Sequence, residues 1–277
     1  MINPLFVVVM VVTASTHKIT WELLPEDFVL EDEPVDNVNQ PSLAAALTES
    51  LQLAGKLPET ALATTNYGIC TVVNGKIVIK APDWAYIPKI TVPREQIQRS
   101  YTPHKQGEIP VVVMEFLSDA NGSEYSSKRT FPPGKWFFYE EVLEVANYLI
   151  FAPDTGVLEF HRLQSSGKYQ LRSPDENNRY WIGEMDLFIG VWQGKRENRD
   201  GYWLRWWDQE GNLLLWGFES VEKERAEKEQ ERREKEQERR EKEQERREKE
   251  QERREKERAL QRLAELEKRL RDAGIED

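Results

Sequence analysis

Two acidic residues stand out because each follows a short run that is typical of a β-strand. Glu115 comes directly after the apolar run 111–114, and Asp83 comes shortly after the β-rich run 76–80. An apolar run without alternation predicts a strand that is buried on both faces. A carboxylate at the end of such a strand is costly to desolvate unless a cation, a metal or several donors meet it. We therefore expect the two carboxylates to lie at the C-terminal ends of neighbouring strands and to converge.

Converging carboxylates are suited to metal-assisted chemistry on phosphates. Two hard oxygen ligands with open positions suit Mg²⁺ (or Mn²⁺), which keeps several waters and is completed by a substrate phosphate. The metal lowers the pKa of a bound water, and a nearby lysine can stabilise the charge that develops. Acidic and basic residues at strand ends are individually common, so spacing alone leaves capping and surface charge as the more frequent explanation.

The elements before the central strand are predicted by their periodicity and turn residues. Ser42 is a plausible N-cap of a helix whose apolar face carries Leu47 and Leu51 and which Gly55 ends. The runs 67–73 and 76–80 are joined by Asn-Gly, the strongest short signal for a β-hairpin.

After the central strand, a second helix is predicted from Lys135 to about Val145. Strands are predicted at 148–153, 156–163 and 168–171, with another hairpin around the turn 208–212. The tryptophans near that turn are expected to cover a sheet rather than to stack on bases. The order of elements predicts an α/β (α+β) domain with a central mixed sheet, flanking helices and extra antiparallel hairpins.

Four segments resemble the Uma2 family of the PD-(D/E)XK nuclease superfamily. They are Lys-Ala-Pro-Asp-Trp at 80–84, Val-Met-Glu-Phe-Leu-Ser at 113–118, Lys-Trp-Phe-Phe-Tyr at 135–139 and Tyr-Leu-Ile-Phe-Ala-Pro at 148–153. The resemblance covers roughly residues 20–217. It implies a restriction-endonuclease-like fold and Mg²⁺-dependent hydrolysis of phosphodiesters, with nucleic acid, most often DNA, as the partner.

The resemblance also implies roles for individual residues. Asp83 matches the aspartate of the Pro-Asp motif and Glu115 the acidic residue of the second motif, both as metal ligands, with the carbonyl of Phe116 as a third. The superfamily usually has a lysine at the position that Leu117 occupies here. Uma2-like sequences instead have Glu-x-x-Ser, matched by Ser118, and a lysine on the following helix.

Lys135 matches that displaced catalytic lysine, with Lys128 and then Lys80 as the next candidates. Tyr139 lies one turn after Lys135 and either orients it or packs in the core. Glu49 falls where related nucleases often carry an additional acidic residue, although a solvated helix charge explains it as well.

The charge balance supports a second hypothesis. Residues 1–220 carry 19 Lys and Arg against 29 Asp and Glu, a net charge of −10, which opposes non-specific binding to nucleic acid. The acidic domain and Leu117 favour a nuclease-like fold that has lost its activity and acts as an interaction or scaffold protein. The combination of Asp83, Glu115 and Lys135 favours the nuclease. A single cysteine, Cys70, excludes an intrachain disulfide and is most simply explained by a cytoplasmic location.

The two ends of the chain differ from the domain predicted at 18–217. The N-terminal segment 1–17 contains an apolar run too short to span a bilayer. We expect this segment to be disordered, or translation to start at Met10 so that residues 1–9 precede the true start; the alternative is a short edge strand.

The segment 218–277 contains Glu-Lys-Glu-Gln-Glu-Arg-Arg four times, from Glu227 to Arg254. No position of this repeat is apolar, so a coiled-coil seam is missing. Pairs of opposite charge at i,i+3 and i,i+4 instead predict an isolated charged helix, about 42 Å long over the repeat. Disorder is the main alternative. A short leucine stripe at 260–270 allows a weak coiled coil or homodimer.

Overall fold

The computed structural model describes residues 17–29, 39–118 and 122–272. The predicted N-terminal segment lies outside the described residues, apart from His17. The elements, in chain order, are β1 (Ile19–Thr20), α1 (Asn39–Leu53), β2 (Leu62–Thr64), β3 (Ile69–Val73), β4 (Lys76–Lys80), β5 (Trp84–Ile87), β6 (Val112–Phe116), α2 (Lys135–Phe137), β7 (Asn147–Ala152), β8 (Val157–Leu163), β9 (Tyr169–Leu171), β10 (Arg179–Ile182), β11 (Leu187–Arg196), β12 (Arg199–Trp207) and α3 (Gly217–Asp272). Compact units are formed by residues 1–217 and by residues 218–277. Across the described ranges, no helix is both long and apolar enough to cross a bilayer.

The first unit is built on a six-stranded mixed sheet with the order β2-β5-β6-β7-β8-β9. Strands β6 and β7 are parallel, and the other neighbouring pairs in this sheet are antiparallel. Two antiparallel sheets of three strands, β1-β3-β4 and β10-β11-β12, complete the unit. This architecture confirms the predicted mixed α/β class with additional antiparallel hairpins.

Strand β6 is buried along its whole length, as its apolar run predicts. Val112, Met114 and Phe116 belong to the core cluster that also contains the apolar face of α1. Val113 belongs to the cluster on the opposite face, which contains the residues that follow Lys135. Because side chains alternate along a strand, Glu115 is directed to the same face as Val113.

Helix α1 forms where predicted, but its N-terminus differs. The helix already includes Asn39, so the prediction that Ser42 is the N-cap is wrong. Proline is compatible with the first turn of a helix because its missing N–H needs no partner there, and Pro41 therefore does not delay the start. Leu47 and Leu51 are fully buried, and Gly55 ends the helical segment with a φ of 66°.

One predicted hairpin is confirmed and the other is wrong. Asn74 and Gly75 connect β3 to β4 with positive φ at both positions, as the Asn-Gly signal requires. The turn 208–212 does not join two strands, because β12 pairs along its length with β11 instead. Only a single bridge, between Trp207 and Leu213, remains of the expected hairpin.

The second predicted helix begins at Lys135 but is shorter and irregular. It is α-helical over three residues and continues as a π-helical turn, Phe138–Val142. The prediction that it reaches about Val145 is wrong, because Glu144 adopts a positive φ of 56°, which an α-helix does not accommodate. Single π-helical turns are frequent at functional sites.

Helix α3 confirms that the charged tail is helical. It has no buried residue along its 56 residues. Its repeat is connected by the predicted pairs, for example Glu229 with Arg232 at 2.8 Å and with Arg233 at 3.1 Å. Pairs of this kind and residues of high helix propensity stabilise the helix in place of a core.

Candidate active site

Asp83 and Glu115 converge, although not at the strand ends that were expected. Asp83 lies just before β5, which is antiparallel to β6 and places Trp84 opposite Met114. The expectation that Asp83 follows the C-terminal end of a strand beside β6 is wrong, because β4 belongs to a three-stranded sheet. In an antiparallel pair the start of one strand lies beside the end of the other. The carboxylate oxygen Oδ2 of Asp83 accepts the backbone N–H of Phe116 at 2.6 Å.

Both carboxylate oxygens of Glu115 are held by side chains from the segment that begins at Lys135. The ammonium Nζ of Lys135 donates to Oε2 at 3.0 Å, and the hydroxyl of Tyr139 donates to Oε1 at 2.9 Å. Glu115 is 1% exposed and Tyr139 is fully buried. Lys135 and Tyr139 are four residues apart, a spacing that brings side chains to one face of a helical turn. Tyr139 thus both packs in the core and binds Glu115.

A third carboxylate, Glu124, completes this group and was missed in the sequence. It lies in the 3₁₀ turn Ser123–Tyr125, and its Oε1 is 3.5 Å from Nζ of Lys135. The turn is fixed by the hydroxyl of Tyr148, which donates to the carbonyl of Glu124 at 2.9 Å. One signal was available, because Glu124 is the only acidic residue between Gly122 and Gly134.

The pKa values of Asp83 and Glu115 are both raised, and burial is the main cause. Burial raises the pKa of Glu115 to about 7, although Lys135 lowers it in part. Burial likewise raises the pKa of Asp83 to about 6, opposed by its hydrogen bond from the N–H of Phe116. Burial alone would lower the pKa of Lys135, but the neighbouring carboxylates outweigh it, so that the pKa is raised and the side chain stays protonated. One ammonium therefore serves three acidic side chains.

Two other predicted residues lie in different surroundings. Glu49 pairs with Arg196 of β11 at 2.9 Å and accepts the backbone N–H of Gly217 at 3.2 Å. Lys128 is exposed, and within the described ranges its ammonium forms no ion pair with the carboxylates of the group. The structure therefore does not bring Glu49 or Lys128 to the side chains around Glu115.

The remaining candidates lie at element ends. Lys80 is the last residue of β4 and is paired with Ile69, so it ends a strand of another sheet than β6. Ser118 lies two residues beyond β6 and is half-buried, and its hydroxyl has no hydrogen-bond partner among the described residues.

The donor set around Asp83 and Glu115 has the chemistry that Mg²⁺ requires. The oxygen Oδ1 of Asp83 accepts no hydrogen bond from the described part of the chain. The carbonyl of Phe116 accepts the side-chain amide of Gln40 at 3.0 Å, which leaves one lone pair of that oxygen free. No group of three His, Cys, Asp or Glu side chains in the described ranges is arranged to hold a metal alone. The oxygens present fit a cation bound by one or two carboxylates, waters and a substrate phosphate, as Mg²⁺ commonly is.

This arrangement of buried side chains can hold a hard cation and supply an ammonium beside it.

Sequence comparison adds no relative from which a reaction could be inferred. No family model matches the chain, and no curated protein sequence matches it.

Proposed function

We propose that this chain is a Mg²⁺-dependent endonuclease that hydrolyses phosphodiester bonds of nucleic acid. DNA is the proposed substrate. The observation that carries the proposal is the meeting of Asp83, Glu115 and Lys135 in one buried group, in which burial raises the pKa of both carboxyl groups. Perturbed carboxylates of this kind are frequent at functional sites. The resemblance of the four segments to the Uma2 family supports the same function.

In this mechanism Mg²⁺, when bound, lowers the pKa of a water and offsets the charge on the phosphate. Asp83 and Glu115 would hold it. The hydroxyl of Tyr139 keeps Glu115 in position from the buried side. Lys135, whose ammonium already lies beside Glu115, orients the attacking water or donates to a phosphate oxygen.

A non-enzymatic scaffold is the second candidate, and one observation favours it. The ammonium of Lys135 already has Glu115 and Glu124 as partners, so this lysine serves a purely structural ion pair if no substrate enters. Helix α3 would then be an assembly arm attached to an inactive domain.

Cleavage of plasmid DNA with Mg²⁺ or Mn²⁺ distinguishes the two candidates. We expect wild type to nick or linearise the plasmid, and Asp83→Ala, Glu115→Ala and Lys135→Ala to lose this activity. Lys128→Ala, which removes an exposed ammonium that the structure does not bring to this group, is the matched control and should cleave like wild type. Cleavage that survives Asp83→Ala would refute the site, and no cleavage by any form would favour the scaffold.

Metal binding gives a readout that does not depend on cleavage. Isothermal titration calorimetry of wild type with Mg²⁺ or Mn²⁺ should show binding that Asp83→Asn and Glu115→Gln both weaken, because each removes one charged ligand. Equal binding by wild type and both variants would place the metal elsewhere.

A further inference from the structure

A cleft of about 540 Å³ runs along the free edge of the six-stranded sheet, outside the group around Glu115. Helix α1 forms one wall, strand β2 the floor, and the segment that contains Arg94 the other wall. The hydroxyl of Tyr67 donates to the carbonyl of Ile97 at 3.1 Å and so ties this last segment to the cleft. The cleft is therefore bounded by elements that are held in place.

The cleft lies next to Asp83. Strand β2 pairs with β5, and Thr64 is opposite Ala85, which is itself opposite Val113 of β6. Residues paired in this way share one face of a sheet, so Thr64 lies on the face to which Glu115 is also directed. With neighbouring strands about 4.8 Å apart, β2 is on the order of 10 Å from β6. Asn66, just beyond β2, donates its N–H to the carbonyl of Asp83 at 3.4 Å.

Several polar groups that line the cleft have no partner in the described part of the chain. Thr64 is 9% exposed, and its hydroxyl is buried without a hydrogen bond in the described part of the chain. The side chains of Gln52, Thr65 and Arg94 are exposed, and none has a hydrogen bond or ion pair in the part of the chain that the structure describes. The charge of Glu49, which also lines the cleft, is balanced by Arg196. The exposed side chains of Gln52, Thr65 and Arg94 are therefore available to a ligand in the cleft, whereas the hydroxyl of Thr64 is buried and is not.

We propose that this cleft binds one unpaired nucleotide of the substrate strand, next to the phosphodiester that is cleaved. This inference rests on the proposed nuclease function. A guanidinium binds a phosphate through two parallel hydrogen bonds, which assigns the phosphate to Arg94. The amide of Gln52 can pair with a base edge, and the ring of Tyr67 offers an apolar wall for the base.

The proposal also names the form of the substrate. The cleft has room for a single nucleotide but not for a duplex, and an acidic domain lacks the broad positive surface that duplex binding uses. The preferred substrate is therefore a single strand, or a strand with one nucleotide turned out of the duplex.

Fluorescence anisotropy with the full chain tests the cleft separately from cleavage. The probes are a labelled single-stranded oligonucleotide and its duplex, in EDTA so that no hydrolysis occurs. Arg94→Gln should weaken binding of the single strand about tenfold and reduce its salt slope by about 0.7, the value for one phosphate contact on a single strand. Lys89→Gln removes an exposed cation outside the cleft and should bind within twofold of wild type.

The results separate this proposal from the nuclease. Unchanged binding by Arg94→Gln, absence of binding by wild type, or tighter binding of the duplex than of the single strand would overturn the cleft assignment, whatever the cleavage assay shows. Binding that depends on Arg94 without any cleavage by wild type would instead confirm the cleft as a nucleotide site and refute the endonuclease.

Discussion

The ammonium of Lys135 lies 3.0 Å from the carboxylate of Glu115, although 20 residues separate them in the chain. Glu115 is brought there by the alternation of a buried strand, and Lys135 by the start of a short helix that covers the same face. Leu117, two residues after Glu115, is apolar, so the cation beside Glu115 comes from the helix and not from the strand.

Lys135→Met should destabilise the protein, because it leaves three acidic side chains without their cation. Removing one partner of a buried ion pair typically costs about 3–5 kcal/mol. We expect a loss toward the lower end of that range at pH 8, since Lys135 is partly exposed, and a smaller loss at pH 5, where Glu115 is protonated. Urea unfolding at both values of pH measures this. Lys128→Met is the matched control, and an equal loss at the two pH values would contradict the role of Lys135 as counter-ion.

Stability without divalent metal should fall as the pH rises from about 5 to 8. The pKa values of Asp83 and Glu115 are raised in the folded state to about 6 and about 7. The folded protein therefore binds these protons more tightly than the unfolded chain, and this stabilisation is complete below the unfolded pKa values and lost as the pH rises through the folded ones. Each unit of pKa shift corresponds to roughly 1.4 kcal/mol.

The measurement is the free energy of unfolding from urea titrations in EDTA between pH 5 and 8. Glu115→Gln keeps the shape of the side chain and removes one of the titrating groups, so its stability should depend less on pH than that of wild type. A steeper dependence in Glu115→Gln than in wild type would show that the groups that titrate lie elsewhere.

Glu124→Gln should change the position of Lys135 rather than remove the metal. Glu124 binds the same ammonium as Glu115, at 3.5 Å, and its loss leaves Lys135 with Glu115 alone. We expect cleavage to fall by about tenfold to a hundredfold, within the range for a mispositioned catalytic group, with the affinity for Mg²⁺ unchanged. Glu141→Gln, which removes a carboxylate that binds Lys168, serves as control. A loss of metal affinity in Glu124→Gln would make Glu124 a ligand instead.

The segment 218–272 should be a monomeric helix on its own. Its pairs at i,i+4 are exposed, for example Glu236 with Arg240 at 2.7 Å, and each contributes about 0.2–0.5 kcal/mol at low salt. Circular dichroism should show high helicity that does not depend on concentration and that decreases in 1 M NaCl, since salt screens exposed pairs. Helicity that rises strongly with concentration would indicate a coiled coil through Leu263, Leu266 and Leu270.

Much of the fold was predictable because its signals are local. The apolar run that ends at Glu115, the Asn-Gly turn at 74–75 and the charged repeat of α3 each contain the residues that decide their conformation. The helix at Lys135 was predictable only at its start, since its π-helical turn depends on how Tyr139 and Val142 pack against the sheet.

The partners of those elements were decided by the tertiary structure. Strand β12 could pair with the residues after the turn 208–212 or with β11, and burial of Trp203 and Trp206 in the main core selects β11. The residues around Glu124 have no hydrophobic periodicity that would predict a helix or strand there. Only the folded chain brings Glu124 to Lys135. The sequence by itself determined the strand that ends near Glu115 and the start of the helix at Lys135, because residue type and local spacing are written in it. The distances between Asp83, Glu115 and Lys135, and the raised pKa values of the two carboxyl groups, arise only when segments far apart in the chain pack together and exclude water.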